Sequence, residues 1–294
     1  MPQLLFILFL FVNSTASFAN NVFKYKDEHG KWVFSDKPPA QQQTFKKLTY
    51  QEKIPNVVSP KIYQLNKSNK YLLMVHNPFY APIEVVIFAS NNTKLSQQVI
   101  PANSHTQAIQ QSKPFKNTSF KWLMGDPTIT PDDFIYQLPF QSKLGLKVTQ
   151  GFNGRFSHTS NGNRYAIDIA MEVGTYIRAA RAGTVVKVKD DYHMGGNGDY
   201  FLDKANVVKV LHQDGTIATY AHILLSTAQV KVGDQVKTGQ VLARSGSSGF
   251  STGPHLHFVI RKNAGLKVTS VPFKFHNKQL GIFTPKQGQV LTTN

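Results

Sequence analysis

The sequence predicts a mainly β protein. A compact antiparallel β domain lies at the C-terminal end, preceded by a small β-sandwich-like domain and a short β-hairpin module. Three observations carry this expectation. From residue 61 onward, short apolar runs alternate with turns marked by Gly, Pro and Asn, the spacing of antiparallel sheets. In the C-terminal half those runs are β-branched, as at 184–188 and 206–211. The third is the stretch His255, Leu256, His257, Phe258, Val259, Ile260. Side chains two apart on a strand share a face, so both imidazoles can reach one site while Leu256 and Phe258 turn into a core.

A chain of 294 residues suggests roughly two domains. Residues 1–19 carry no charged side chain, and an apolar run at 4–12 is followed by the small-x-small sequence Ser17, Phe18, Ala19. This reads as a cleaved secretory signal, with the mature chain starting near Asn20. The run is about half the ~20 apolar residues of a spanning helix, so no stable membrane anchor is expected after cleavage. There is no cysteine, which excludes disulfides, thiolate metal ligands, a catalytic cysteine and a lipoprotein signal.

Residues 20–40 form the hairpin module, with strands at 22–25 and 31–34 around a turn at 27–30. Its aromatic-x-x-D-x-x-G-x-aromatic and S-D-x-P-P pattern resembles a small module at the N-termini of many Gram-negative periplasmic proteins. Residues 41–60, rich in Gln and Lys, read as a linker. Residues 61–140 form the sandwich-like domain, with the clearest strands at 71–75 and 83–88; His76 and His105 read there as ordinary turn or surface histidines. Pro127, Pro131 and Pro139 mark the boundary to a domain at 141–275, and 276–294 is a tail.

The net charge is +17, and the excess of Lys and Arg is spread along the chain. Such a surface favours polyanions: nucleic acid, anionic lipid or an anionic cell-wall polymer. The secretory signal and the lack of a basic-aromatic recognition motif argue against nucleic acid.

Within the apolar run 164–171 stands Asp168. A carboxylate among apolar neighbours must be paired or bound to metal. Arg164 and Arg178 are the candidate ion-pair partners on the first reading. The run Ser245, Gly246, Ser247, Ser248, Gly249 lacks the strand–elbow–helix context of a serine nucleophile and reads as a flexible loop at the rim of a cleft. His212 and His276 read as turn histidines.

The ordered elements Tyr165-Ala166-Ile167-Asp168, Gly174-Thr175, Ala179 to Val185, Tyr220-Ala221-His222, Val232-Gly233-Asp234 and Gly253-Pro254-His255-Leu256-His257-Phe258 resemble the LytM/lysostaphin-type zinc endopeptidases of peptidoglycan. The resemblance covers about residues 145–270. It implies one Zn²⁺ held by a His, an Asp and the second His of H-x-H, which makes Asp168 and His257 ligands here. The family's common H-x-x-x-D pattern would put the other histidine at 164, which is Arg164. His158, in the polar loop 157–163, is the candidate in its place, with His193 in reserve. The resemblance sets His222 and His255 beside the metal without ligating it, one as general base and one to stabilise the oxyanion or orient the substrate. The implied protein is a periplasmic zinc endopeptidase that cuts D-alanyl–diaminopimelyl cross-links of peptidoglycan rather than glycine bridges. The alternative, kept open by Arg164, is a metal-free copy that binds the wall and activates other hydrolases.

Overall fold

The computed structural model describes residues 20–26, 32–35, 44–50 and 58–293. The expected signal segment at 1–19 and the hairpin turn at 27–30 lie outside the described residues. The chain divides into two compact units, Met1–Val57 and Val58–Asn294. Among the described residues there is no α-helix, one 3₁₀ turn at Asp199–Phe201, and no helix long and apolar enough to cross a membrane.

In the first unit the strand Asn20–Lys26 pairs antiparallel with Trp32–Ser35 on one side and with Lys46–Tyr50 on the other. The module is therefore three-stranded, and residues 46–50 of the expected linker belong to a sheet. A lone two-stranded hairpin is marginal in water, and a third strand pairs one of its free edges.

The second unit begins with two three-stranded antiparallel sheets. One runs Lys61–Lys67, Lys70–Asn77, Ser104–Gln111; the other runs Lys94–Ile100, Ile83–Phe88, Ser119–Met124. Leu73 and Val75 of the first share a core with Ile83, Val85, Ile87 and Ile100 of the second. The Ile83–Phe88 strand is covered on its other face too. There Glu84 accepts hydrogen bonds from Asn263 Nδ2 (2.9 Å) and the Leu266 backbone N–H (2.7 Å), and Ala81 packs with Val186 and Ile217. These contacts join the two sheets to the C-terminal lobe.

That lobe is built on a nine-stranded sheet. Its order is Gln235–Val236, Gly183–Lys189, Val207–Leu211, Ile217–Ala221, His255–Asn263, Ile167–Ala170, Leu146–Gln150, Val290–Leu291, with Val268–Val271 also pairing His255–Asn263. Every pairing in it is antiparallel. One face buries Ile167, Ile169, Tyr220, Leu256, Phe258 and Ile260 against Tyr136, Phe273 and Phe275. The opposite face floors a cleft.

Two boundaries differ from the sequence expectation. The strand Ile135–Gln137 pairs in parallel with Lys274–Asn277, and Val290–Leu291 pairs with Leu146–Gln150. The end of the 61–140 segment and the 276–294 tail are thus both built into the C-terminal lobe. Tyr136, Leu138, Phe140, Phe275 and Leu291 are buried in its core, and that burial outweighs the proline punctuation of the segment.

Candidate metal centre

Strand register places Asp168 directly opposite His257, and Ala170 opposite His255. Ile167 and Ile169 point into the core, so Asp168 faces the cleft with the two histidines of the neighbouring strand. His158 arrives from a looped segment. Its backbone N–H donates to Gly154 O (3.0 Å), and its Nδ1 lies 2.9 Å from Gly151 O, which fixes the ring with Nε2 turned toward Asp168.

Three nitrogens converge on one oxygen. Asp168 Oδ1 lies 2.9 Å from His257 Nδ1, 3.3 Å from His158 Nε2 and 3.8 Å from His255 Nε2. His158 Nε2 is fully buried and lacks hydrogen-bond geometry to any partner. A buried imidazole nitrogen without a partner, aimed at a carboxylate oxygen, is the arrangement a cation completes. Ligand atoms of His158, Asp168 and His257 all lie within 4.8 Å of one another. A tetrahedral Zn²⁺ with bonds of about 2.0–2.2 Å sets neighbouring ligand atoms about 3.4 Å apart, so the donor set fits the ion.

The other carboxylate oxygen is held by a residue the sequence reading missed. Gln150 Nε2 donates to Asp168 Oδ2 (2.8 Å) and to Ser157 Oγ (2.8 Å), while its Oε1 accepts the N–H groups of Phe156 (3.1 Å) and Ser157 (3.2 Å). One side chain thus ties Asp168 to the segment that carries His158. A β-bulge makes this possible. Val148 pairs with Ile169, but Gln150 pairs with Asp168, so the register slips by one and Gln150 joins the cleft side. Nothing in the local pattern Val148-Thr149-Gln150-Gly151 announces that slip.

Burial would raise the Asp168 carboxyl, but the imidazoles of His158 and His257 outweigh it and hold the group well below the usual carboxylate range. Burial pushes His257 below the ordinary imidazole value. His222 is lowered to about 3, first by burial and then by His255 and His257. Each of these effects favours a carboxylate beside neutral imidazoles, the state in which metal ligands bind.

His222 follows the strand Ile217–Ala221 with φ 63, a left-handed conformation that costs a non-glycine residue about 1 kcal/mol or more. It is held there by Gly246 N–H to His222 O (3.0 Å) and by its own Nδ1 at 2.7 Å from Ser248 O. The result sets the His222 ring 4.4 Å from the ring of His255, tilted to it by 41°. His255 Nδ1 lies 2.8 Å from Gly253 O. With Nδ1–H donated to a carbonyl in each ring, both are free at Nε2.

The Ser245–Gly249 run is ordered and largely buried, contrary to the flexible rim loop expected. Ser245 Oγ donates to Glu172 O (2.6 Å) and Ser248 Oγ to Ile223 O (2.9 Å), so the hydroxyls satisfy backbone that the turn leaves unpaired. His212 opens a turn as expected, its C=O accepting the Gly215 N–H (3.0 Å), and its side chain is buried, 3% exposed, with Nδ1 at 3.0 Å from Ala182 O. His276 is exposed, and His76 stacks on His105 at 4.1 Å away from the centre. His193 lies on an exposed loop outside the ligand group. Arg164 is exposed, with a 3.4 Å contact to Asn161, and Arg178 donates to Gly239 O; neither arginine pairs with Asp168.

Residues 162–269 match the description Peptidase family M23. The chain belongs to that family. Residues 8–61 match a domain of unknown function, DUF4124. The chain is 39% identical over 99 residues to the glycyl-glycine endopeptidase ALE-1 of Staphylococcus capitis, covering 34% of this chain and 25% of that protein. It is 35% identical over 115 residues to the peptidoglycan DD-endopeptidase ShyC of Vibrio cholerae, covering 38% and 24%. Among solved structures, the catalytic domain of the prophage-encoded M23 protein EnpA from Enterococcus faecalis is 31% identical, covering 43% of this chain and 87% of that one, with a TM-score of 0.33. The chain thus spans about a quarter of the length of the two curated relatives. The M23 match contains Asp168, His222, His255 and His257, and His158 lies four residues before its first position.

Proposed function

We propose that this M23 protein is a zinc metalloendopeptidase of the bacterial envelope, secreted to the periplasm, that hydrolyses D-alanyl–diaminopimelyl cross-links of peptidoglycan. The observation that carries the reading is the buried, unpartnered Nε2 of His158 aimed at the same carboxylate oxygen as His257. His158, Asp168 and His257 would hold the ion, leaving a coordination position open toward a cleft of about 1180 Å³. When bound, Zn²⁺ supplies Lewis acidity that polarises the scissile carbonyl and acidifies water.

The remaining chemistry belongs to side chains of this chain. His222, kept neutral by burial, offers Nε2 to take a proton from the attacking water and to return it to the leaving amine. His255, with its ring 4.4 Å away, offers Nε2 at the developing oxyanion once that nitrogen carries a proton. The bond preference leans on the DD-endopeptidase relative and on the Gram-negative look of the N-terminal module.

Digestion of purified sacculi, with and without chelation, tests the reading, with His158→Ala and His257→Ala run beside the unmodified chain and muropeptides weighed by mass. Conversion of cross-linked dimers to monomers, lost on chelation and in both variants, is the expected result. Binding to sacculi with no zinc and no cleavage would replace the reading with that of a wall-bound activator of other hydrolases.

A further inference from the structure

The cleft floor carries charge that the metal centre does not use. Lys187 pairs in register with Lys209, and Lys209 with Thr219, across three neighbouring strands. Thr219 pairs with Val259, which lies two residues from both His257 and Arg261 on its strand. Lys187, Lys209, Thr219 and Arg261 all line the cleft. Lys209 and His257 are therefore two strands and two residues apart, roughly 12 Å between Cα atoms from ordinary sheet spacings. A lysine side chain spans about half of that gap.

These cations lack anions. The side chains of Lys187 and Lys209 make no hydrogen bond or ion pair among the described residues. Arg261 donates only to neutral acceptors: Gly162 O (2.7 Å), Thr219 Oγ1 (3.3 Å) and Asn163 Oδ1. The carboxylates lining the cleft are Asp168, engaged by the histidines, and Asp203, exposed at its edge. Burial, followed by the charges of Arg261 and Lys187, lowers the Lys209 ammonium to about 8. A half-buried ammonium beside two other cations is an unfavourable arrangement that a bound carboxylate relieves.

We infer that Lys209, with Lys187 and Arg261, forms a carboxylate-binding subsite that selects a substrate peptide whose free carboxylate lies within about two residues of the scissile bond. The inference rests on the peptidase reading for its substrate, and on the cleft floor alone for its chemistry. Ionic recognition at this position discriminates against a peptide in which that carboxylate is an amide, which keeps the shape and loses the charge.

The test uses two synthetic cross-linked peptides, D-alanyl joined to diaminopimelate, with the diaminopimelyl carboxyl beside the scissile amide free in one and amidated in the other. The expected result is a preference for the free acid of about tenfold in kcat/KM, carried by KM, that shrinks to within about twofold in Lys209→Gln. Lys187→Gln, at an exposed position, shrinks it partly and guards against misfolding of the first variant. Binding of both peptides to chelator-treated protein is measured in parallel. Equal cleavage of both peptides by the unmodified chain overturns the subsite and leaves the peptidase reading intact. Tighter binding of the free acid without cleavage of either keeps the subsite and overturns the peptidase reading. An unchanged preference in both variants overturns the assignment to these lysines, and failure to bind or cut either peptide overturns both readings.

Discussion

Truncating Gln150 to alanine separates the candidate ligands from the side chain that positions them. The change removes the hydrogen bond from Nε2 to Asp168 Oδ2, the bond to Ser157 Oγ, and two backbone N–H bonds to Oε1. A bond to a charged carboxylate contributes about 1.5–3 kcal/mol and a neutral one about 1 kcal/mol. Water can take over the N–H groups of Phe156 and Ser157, so the larger share of the loss falls on Asp168. Without its Oδ2 partner that carboxylate can rotate, and His158 loses the tie between its segment and the sheet. Loss of such supporting hydrogen bonds weakens metal affinity about 10–100-fold, or about 1.4–2.7 kcal/mol. Zinc affinity is read by competition with a chromophoric chelator at pH 7, and melting of metal-free and zinc-loaded protein is recorded beside it. Gln150→Ala is expected to bind zinc at least about tenfold more weakly and to show a smaller zinc-induced rise in Tm. Zinc affinity within about twofold of the unmodified chain, together with a lowered metal-free Tm, would show that Gln150 only anchors the loop, and the argument for its hold on Asp168 would fail.

Arg164→Ala is expected to leave zinc affinity unchanged and stability within about 0.5 kcal/mol, because the side chain is exposed and makes a long 3.4 Å hydrogen bond to Asn161; a chelator competition and a urea melt check this. Acid should destabilise the fold through His212, which is buried and lowered to about 4 by burial. Below its unfolded value of about 6.5 the unfolded chain binds a proton the folded ring refuses, so stability falls as pH drops from about 6.5 and the loss levels off near 4. The size is about 1.4 kcal/mol per pH unit, roughly 3 kcal/mol in all. Urea midpoints between pH 7 and 4.5 should fall less steeply in His212→Gln, and equal slopes would contradict the assignment.

The legible parts of this molecule are those that obey a short period. Alternation at 255–260 and at 167–170 assigns Leu256, Phe258, Ile167 and Ile169 to the core and so puts His255, His257 and Asp168 on the other face. Features that depend on distant pairing are not readable in the same way. Lys46–Tyr50 looks like linker because its strand partners, from Lys24 opposite Lys46 to Asn20 opposite Tyr50, lie far upstream in the chain. Val290–Leu291 looks like tail because its partner is Leu146–Gln150, across the whole lobe. Gln150 escapes notice for a third reason: a single bulge sets which face it joins, and a bulge leaves no reliable mark in composition.

The same reasoning explains how a histidine other than one at 164 can serve the centre. A ligand position is defined by where a ring nitrogen arrives, and sequence spacing is only a proxy for that. In this chain the segment between Gly151 and Asp168 folds back through Asn153 N–H to Arg164 O (2.7 Å) and His158 N–H to Gly154 O. That closure turns Arg164 outward and brings His158 under the strand pair, with Gly151 O fixing Nδ1 and leaving Nε2 for the ion. Arg164 is therefore weak evidence for a metal-free copy: His158, in the polar loop 157–163, is placed where it would supply the ligand instead, and Gln150 binds that loop to Asp168.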